Sequence, residues 1–329
     1  MSPAPQAAPW QRQDWLRLVR LLREDRMPHA LLLNGLPGTG VSDFAVSLAH
    51  RTLCRGPLQE HPCGCCRSCQ LNAAGTHPDL MLLSPERSGG PIKVDQVREV
   101  VAFGQATAQQ SGYRVVIINP AEAMNVNAAN SLLKTLEEPG QATLLLLVSH
   151  APGMVMPTLR SRCQGVALPA PAAAVARAWL EHRIEDRQDL EFLCGFAPRQ
   201  PVYALQLLPQ VAAMREVARS LVALVARRAD PVEVAGSWLK LETDDLLQWL
   251  YQWLARACVT PYAADAHGEY TAAIHAGWTA TASIESLVAL TDAVVQLRRQ
   301  VLAGANPNRQ LMLEGLTLAL ASGCPLASV

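Results

Sequence analysis

Gly35-Leu36-Pro37-Gly38-Thr39-Gly40-Val41-Ser42 decides how the first half of this chain reads. The stretch follows the apolar run Ala30–Asn34 (ALLLN) and precedes Asp43–Leu53, which has the character of a helix. A glycine-rich turn from strand to helix is the setting of a phosphate-binding loop, G-x-x-x-x-G-K-[S/T], whose backbone N–H groups wrap a phosphate. Gly35, Gly38, Gly40 and Ser42 are in register with that pattern, but Val41 stands at the lysine position. Lysine there brings positive charge to the β- and γ-phosphates, and valine cannot replace it.

Outward from this loop the same alternation continues. Asp79–Leu83 reads as a short strand, and Val115–Ile118 (VVII) and Thr143–Ser149 (TLLLLVS) as buried strands, separated by helical patterns at Asp95–Ala108 and Ala128–Leu136. Strands alternating with helices imply crossover connections, hence an α/β fold with a parallel sheet covered on both faces. Leu168-Pro169-Ala170-Pro171 looks like a boundary, with no strand pattern after it. Short helices at Ala172–His182 and Glu185–Leu193 lead to the breaker-rich Gly195–Pro201. From about Val211 the chain is helical, punctuated by Pro231, Pro261 and Gly304–Pro307. The predicted division is an α/β domain over 1–168 with an insertion at 54–69, a small helical domain over 169–209, and a helical bundle over 210–329.

A second nucleotide signature belongs at the end of an apolar strand, where acidic residues hold Mg²⁺ and orient water. Here Val115–Ile118 ends in Asn119-Pro120-Ala121-Glu122. Asn119 is neutral where a metal-binding Asp belongs, and Pro120 stands where a catalytic Glu is often found. Glu122 is expected to face solvent or cap the following helix. Losing both the lysine and the acids removes the clamp and the base for Mg·ATP, so no functional ATP site is expected.

Composition narrows the partners. The chain has 329 residues, 50% of them hydrophobic, and a formal net charge of zero, so it lacks the basic footprint of a dedicated nucleic-acid binder. No apolar run approaches the roughly 18 residues of a membrane span, and MSPAPQAAPWQRQDW has no secretory core; the expected location is cytoplasmic. In a reducing compartment, cysteines point to metal before disulfides. Cys54, Cys63, Cys66 and Cys69 form C-x8-C-x2-C-x2-C, suited to a structural Zn²⁺ with no open position for chemistry. On spacing alone Cys65 can substitute for Cys66, and a set of unligated surface thiols is the alternative. Pro157-Thr158-Leu159-Arg160-Ser161-Arg162-Cys163 closes the α/β region. Its two arginines either cap a helix and make surface ion pairs, or serve a neighbour's phosphoryl-transfer site in an assembly.

Several motifs occur in one order: Pro28–Leu33 (PHALLL), the cysteine insertion, Thr76–Asp79 (THPD), Val94–Arg98 (VDQVR), Asn127–Pro139 (NAANSLLKTLEEP) and Thr158–Cys163 (TLRSRC). Together they resemble the AAA+ clamp-loader subunits of bacterial DNA polymerase III, densely over 28–164 and thinly beyond, where Asn306–Leu320 looks like a collar helix. The resemblance implies an AAA+ α/β domain, a helical lid and a collar domain. It makes Arg162, in a Ser-Arg-Cys motif, a trans-acting arginine finger, and the four cysteines zinc ligands. It places Ser149 at the first sensor position and implies a hetero-oligomeric ring with delta and gamma/tau subunits that loads the sliding clamp onto primed DNA. Arg199, between Pro198 and Pro201, departs from the lid sensor arginine of active relatives. Two competing readings are an atypical ATPase using Lys134, and a free-standing zinc-dependent DNA-binding protein. Trp238, Trp249, Trp253 and Trp278 read as core residues before base-stacking platforms. Leu311, Leu313, Leu316 and Leu320 suit core or interface equally.

Overall fold

A computed structural model describes residues 7–57, 59–87, 89–110, 112–260, 268–305 and 307–324; Pro261 and Asn306 of the sequence-based reading lie outside them. The chain divides into two compact units after Pro171.

In the first unit, five parallel strands are β1 (Ala30–Asn34), β2 (Leu80–Leu83), β3 (Arg114–Ile118), β4 (Thr143–Ser149) and β5 (Gln164–Ala167). Their order is β2-β3-β4-β1-β5. Between and around them lie α1 (Arg12–Arg23), α2 (Val41–Leu53), α3 (Arg67–Ala73), α4 (Val94–Gln105), α5 (Val126–Glu137) and the single turn α6 (Pro157–Arg160). Alternation along the strands feeds two cores. Leu31, Leu33, Val115, Ile117, Leu144 and Leu146 pack with Trp15, Leu18, Phe44 and Leu48 of α1 and α2. Leu32, Val116, Ile118, Leu145 and Leu147 pack with Val97, Val100, Leu132 and Leu136 of α4 and α5. Because both faces are covered, the central strands read as uninterrupted apolar runs.

Helix α2 starts at Val41, two residues before the predicted start, because Gly40 (φ 87°) turns the chain directly into it. Three elements of the first unit escaped the sequence reading. β5 is an edge strand whose Gln164, Gly165 and Ala167 are exposed and only Val166 buried, so it carries no apolar run. α1 lies in the N-terminal stretch that sequence reading treated only as lacking a signal segment, and α3 lies within the cysteine insertion.

The second unit is helical: α7 (Ala173–Glu181), α8 (Arg187–Phe196), α9 (Pro201–Leu207), α10 (Val211–Val225), α11 (Pro231–Trp238), α12 (Thr243–Val259), α13 (Glu269–Thr279), α14 (Ile284–Leu302) and α15 (Arg309–Ser322). One buried cluster runs from Leu180 to Leu320 and includes Trp238, Trp249, Trp253 and Trp278. It crosses the sequence position predicted to separate a small helical domain from a bundle. On α15, Leu313, Leu316 and Leu320 enter this core while Leu311 is 61% exposed.

Candidate functional site

In an open parallel sheet, ligands bind beyond the carboxyl ends of the strands where the strand order reverses. Here that point lies between β1 and β4, with Asn34 level with Ser149. The glycine-rich turn leaves β1 at this edge. Gly35 donates its N–H to the Ser149 carbonyl (3.2 Å), and His150 Nδ1 donates to the Gly35 carbonyl (3.0 Å). Gly38 and Gly40 are left-handed, with φ of 72° and 87°. Val41 does not reach outward. It is buried in the core, and a Cβ on Gly35 would come within 2.8 Å of its Cγ2 and 2.9 Å of the Leu168 carbonyl. The loop is held from outside by Trp10 Nε1 and Gln11 Nε2, which both donate to the Thr39 carbonyl (3.0 and 3.1 Å).

Asn119, just past β3, donates from Nδ2 to Ser42 Oγ at 3.0 Å. The hydroxyl that would face a metal in an active phosphate-binding loop is therefore in direct contact with a neutral amide. Glu122 departs from its expected place: it neither caps a helix nor points freely to solvent. Its Oε1 accepts from the N–H groups of His150 and Ala151 (2.9 and 3.2 Å), tying the end of β4 to the turn after β3, while α5 is capped by Asn125. A pair 28 residues apart leaves no periodic trace in the sequence. Lys134 is exposed on α5, and Arg199 is exposed between α8 and α9 in the other unit.

The cysteine insertion converges. The sulfurs of Cys54, Cys63, Cys66 and Cys69 all lie within 4.8 Å of one another, with 3.9 Å between Cys63 and Cys69. A tetrahedral zinc with Zn–S bonds of about 2.3 Å sets its sulfurs about 3.8 Å apart, so this donor set fits the ion. Cys65 is exposed and outside the group. Backbone N–H groups already serve three of the sulfurs: Gly56 and Cys63 donate to Cys54, Cys66 to Cys63, and Cys69 to Cys66, at 3.3–3.5 Å. The N–H groups of Cys66 and Cys65 bring the Cys63 thiol down to about 6, whereas burial drives Cys69 upward. A metal would resolve that spread by holding all four as thiolates.

The Thr-His-Pro-Asp motif turns out to be a brace. His77 Nδ1 accepts from the Asp79 N–H (3.0 Å), so Nε2 carries the proton and donates to Ser68 Oγ (2.6 Å), which in turn donates to the Leu53 carbonyl (2.5 Å). Asp79 accepts from the N–H groups of Gln109 and Gln110, both at 2.6 Å. The insertion is thereby anchored to the sheet.

Arg162 follows α6 on the surface. Its Nε and Nη2 contact Glu137 Oε1 of α5 at 2.9 and 2.6 Å, and Nη1 donates to the Thr158 carbonyl at 3.1 Å. Cys163 is a partly buried thiol raised to about 11 by burial, a packing residue without nucleophilic character. Arg160 ends α6 and is exposed.

Residues 10–172 match a family profile described as DNA polymerase III, delta subunit, and residues 210–321 one described as DNA polymerase III, delta subunit, C terminal. A Pseudomonas aeruginosa protein named DNA polymerase III subunit delta' is 39% identical over 95% of this chain and 97% of its own length. The chain belongs to the delta-prime family of DNA polymerase III. Its Yersinia pestis relative of the same name is 33% identical over 93% of this chain and 92% of that protein, and the Escherichia coli one 40% identical over 55% and 54%. A solved gamma-subunit-related protein of Thermotoga maritima aligns with 93% of this chain and 98% of its own, at 16% identity and a TM-score of 0.48. This delta-prime family member has a parallel α/β unit, a four-cysteine group able to hold a metal, and a helical unit. No helix among its described residues is long and apolar enough to cross a membrane.

Proposed function

We propose that this chain is a subunit without ATPase activity of its own, acting in a clamp-loader ring as a stator that lends an arginine finger to a neighbour's ATP site. The observation that carries the first half is the Asn119–Ser42 hydrogen bond beside a buried Val41. With no cation on the loop and no carboxylate at the strand end, the site has nothing to clamp Mg·ATP or activate water.

The second half rests on Arg162. Its side chain and that of Glu137 are 36% and 50% exposed, so the ion pair is worth about 0.2–1 kcal/mol. A neighbour's triphosphate, carrying several charges, readily outcompetes one exposed carboxylate. The partners in this reading are delta and gamma/tau subunits, and the ring loads the sliding clamp onto primed DNA. Residues 169–209 serve as a lid and 210–329 as a collar. Zinc held by Cys54, Cys63, Cys66 and Cys69 cross-links the insertion and takes no part in chemistry.

Mixing the purified chain with delta and gamma/tau subunits tests the whole. The chain alone should be inert towards ATP, and the mixture should give a ring whose ATPase responds to primed DNA and clamp. Arg162→Ala should leave assembly intact and lower turnover at the served site by about 10³-fold, a loss diluted in the total by other sites. Unchanged turnover and clamp loading in the mutant ring remove the finger role. Turnover by the chain alone removes the reading of its own site and favours an atypical ATPase.

A further inference from the structure

Arg51 stands out among the charged side chains of the first unit. It is completely buried, near the C-terminal end of α2 and three residues before Cys54. Its Nε donates to the Gln59 carbonyl (2.8 Å) and Nη2 to the Pro57 carbonyl (3.4 Å), both in the loop between Cys54 and Cys63. Its Nη1 is buried with no hydrogen-bond partner among the described residues. None of the ion pairs among those residues includes Arg51. An isolated buried charge is among the costliest features a fold can carry, so such a group calls for an opposite charge close by.

Burial is the largest influence on Arg51 and disfavours its charge; Cys54 favours it, Arg23 opposes it, and Cys69 and Cys63 add smaller support. Four thiolates around one Zn²⁺ leave two net negative charges in a part-buried cluster. The N–H groups of Gly56, Cys63, Cys66 and Cys69 disperse some of that charge but cannot neutralise it. The two imbalances have opposite sign, and the loop that Arg51 holds at Pro57 and Gln59 is the one that runs between Cys54 and Cys63.

We infer that Arg51 is the counter-ion of the zinc-bound cysteine cluster: its buried guanidinium offsets the excess thiolate charge while its Nε and Nη2 hold the loop that presents Cys63. This rests on reading the four cysteines as a zinc site. It makes Arg51 a positioning and charge-balancing residue outside the ligand set. Loss of charge at position 51 should weaken metal binding even where the loop is still held, because outer partners of metal sites contribute about 10–100-fold to affinity.

The test compares wild type, Arg51→Gln and Arg51→Lys as full-length chains, with zinc content measured first and affinity then read by competition with a chromogenic chelator. Glutamine keeps a donor for the loop carbonyls without the charge; lysine keeps the charge. Wild type should hold about one zinc per chain. Arg51→Gln should bind it at least about tenfold more weakly, and Arg51→Lys should recover most of that loss. Equal affinity in wild type and Arg51→Gln overturns the proposal. So does Arg51→Lys binding as weakly as Arg51→Gln, which would reduce Arg51 to a loop tether. Should Arg51→Gln not fold, Arg51→Lys decides alone: near-wild-type affinity supports charge balance, and a loss beyond about tenfold refutes it. A wild-type chain free of zinc after reduced purification brings down the zinc reading itself, and with it this inference, whereas the variants report on Arg51 only when wild type is loaded.

Discussion

At the scale of single residues, the positions where a phosphate-binding loop and its partner strand carry a lysine and an acid hold side chains committed within the fold. Valine at position 41 turns into the core against Gly35, where a lysine would have to extend away from it. Asparagine at 119 bonds Ser42 directly. Histidine 77 shows how a conspicuous polar motif can be structural: it is 5% exposed and already committed on both ring nitrogens. Burial lowers its pKa below the ordinary 6.5, against the opposing pull of Asp79, and burial followed by the nearby His77 lowers that of His50. A base whose folded pKa is depressed is protonated first in the unfolded chain, so its contribution is complete above about pH 6.5 and declines as pH falls below it. Urea denaturation between pH 7.5 and 5.5 should therefore show stability falling with acidification, and His77→Gln should make that slope shallower, as conditions of about this range report. An unchanged slope in His77→Gln would mean that His77 does not titrate differently on folding.

At the scale of elements, the cysteine insertion is fastened from several sides. Arg51 grips its loop from α2, the Trp15 and His61 rings stack at 6.1 Å, Arg12 pairs with Glu60 at 2.8 Å, and Ser68 of α3 bonds both His77 and Leu53. Helix α3 spans only seven residues, too short to persist in isolation, so its order depends on these fastenings, to which a metal across Cys54, Cys63, Cys66 and Cys69 would add. Zinc removal by a chelator under reducing conditions should speed amide exchange throughout 54–73 while β1, β3 and β4 stay protected. Equal exchange with and without chelator would remove the metal's structural role. The brace through His77 lies outside the ligand set, which is why the sheet strands are expected to survive the loss.

At the scale of the whole molecule, two units carry separate cores of different kinds. The first is a sheet sandwiched by helices, the second a helical core packed around large aromatic side chains. Trp253 is 1% exposed and meets Phe196 edge-on at 5.0 Å and Phe192 at 6.3 Å. Trp253→Ala should destabilise the helical unit by about 3–5 kcal/mol, the usual cost of emptying so large a site. Denaturation followed by circular dichroism measures this, and zinc content should be unchanged, since all four cysteines belong to the first unit. A loss below about 1 kcal/mol would mean that the core closes over the gap or that Trp253 contributes little to it.

The sequence by itself determined the elements whose signals are local. Buried parallel strands need unbroken apolar runs, so β1, β3 and β4 were legible almost to the residue, and the glycine pattern marked the turn that follows β1. The missing lysine and acid were legible too, because a charge is either written at a position or it is not. Only the tertiary structure decided what depends on residues far apart in the chain. It added β5, a mostly exposed edge strand, and moved Glu122 from an assumed surface or capping role to the backbone at 150–151. It drew Cys66 into the sulfur group and left Cys65 outside, although the two are adjacent in sequence. It also left the guanidinium of Arg51 buried against the loop between Cys54 and Cys63, a placement no local pattern could name. Local patterns report how each segment meets water; which polar groups must satisfy one another is settled only when folding removes water from between them.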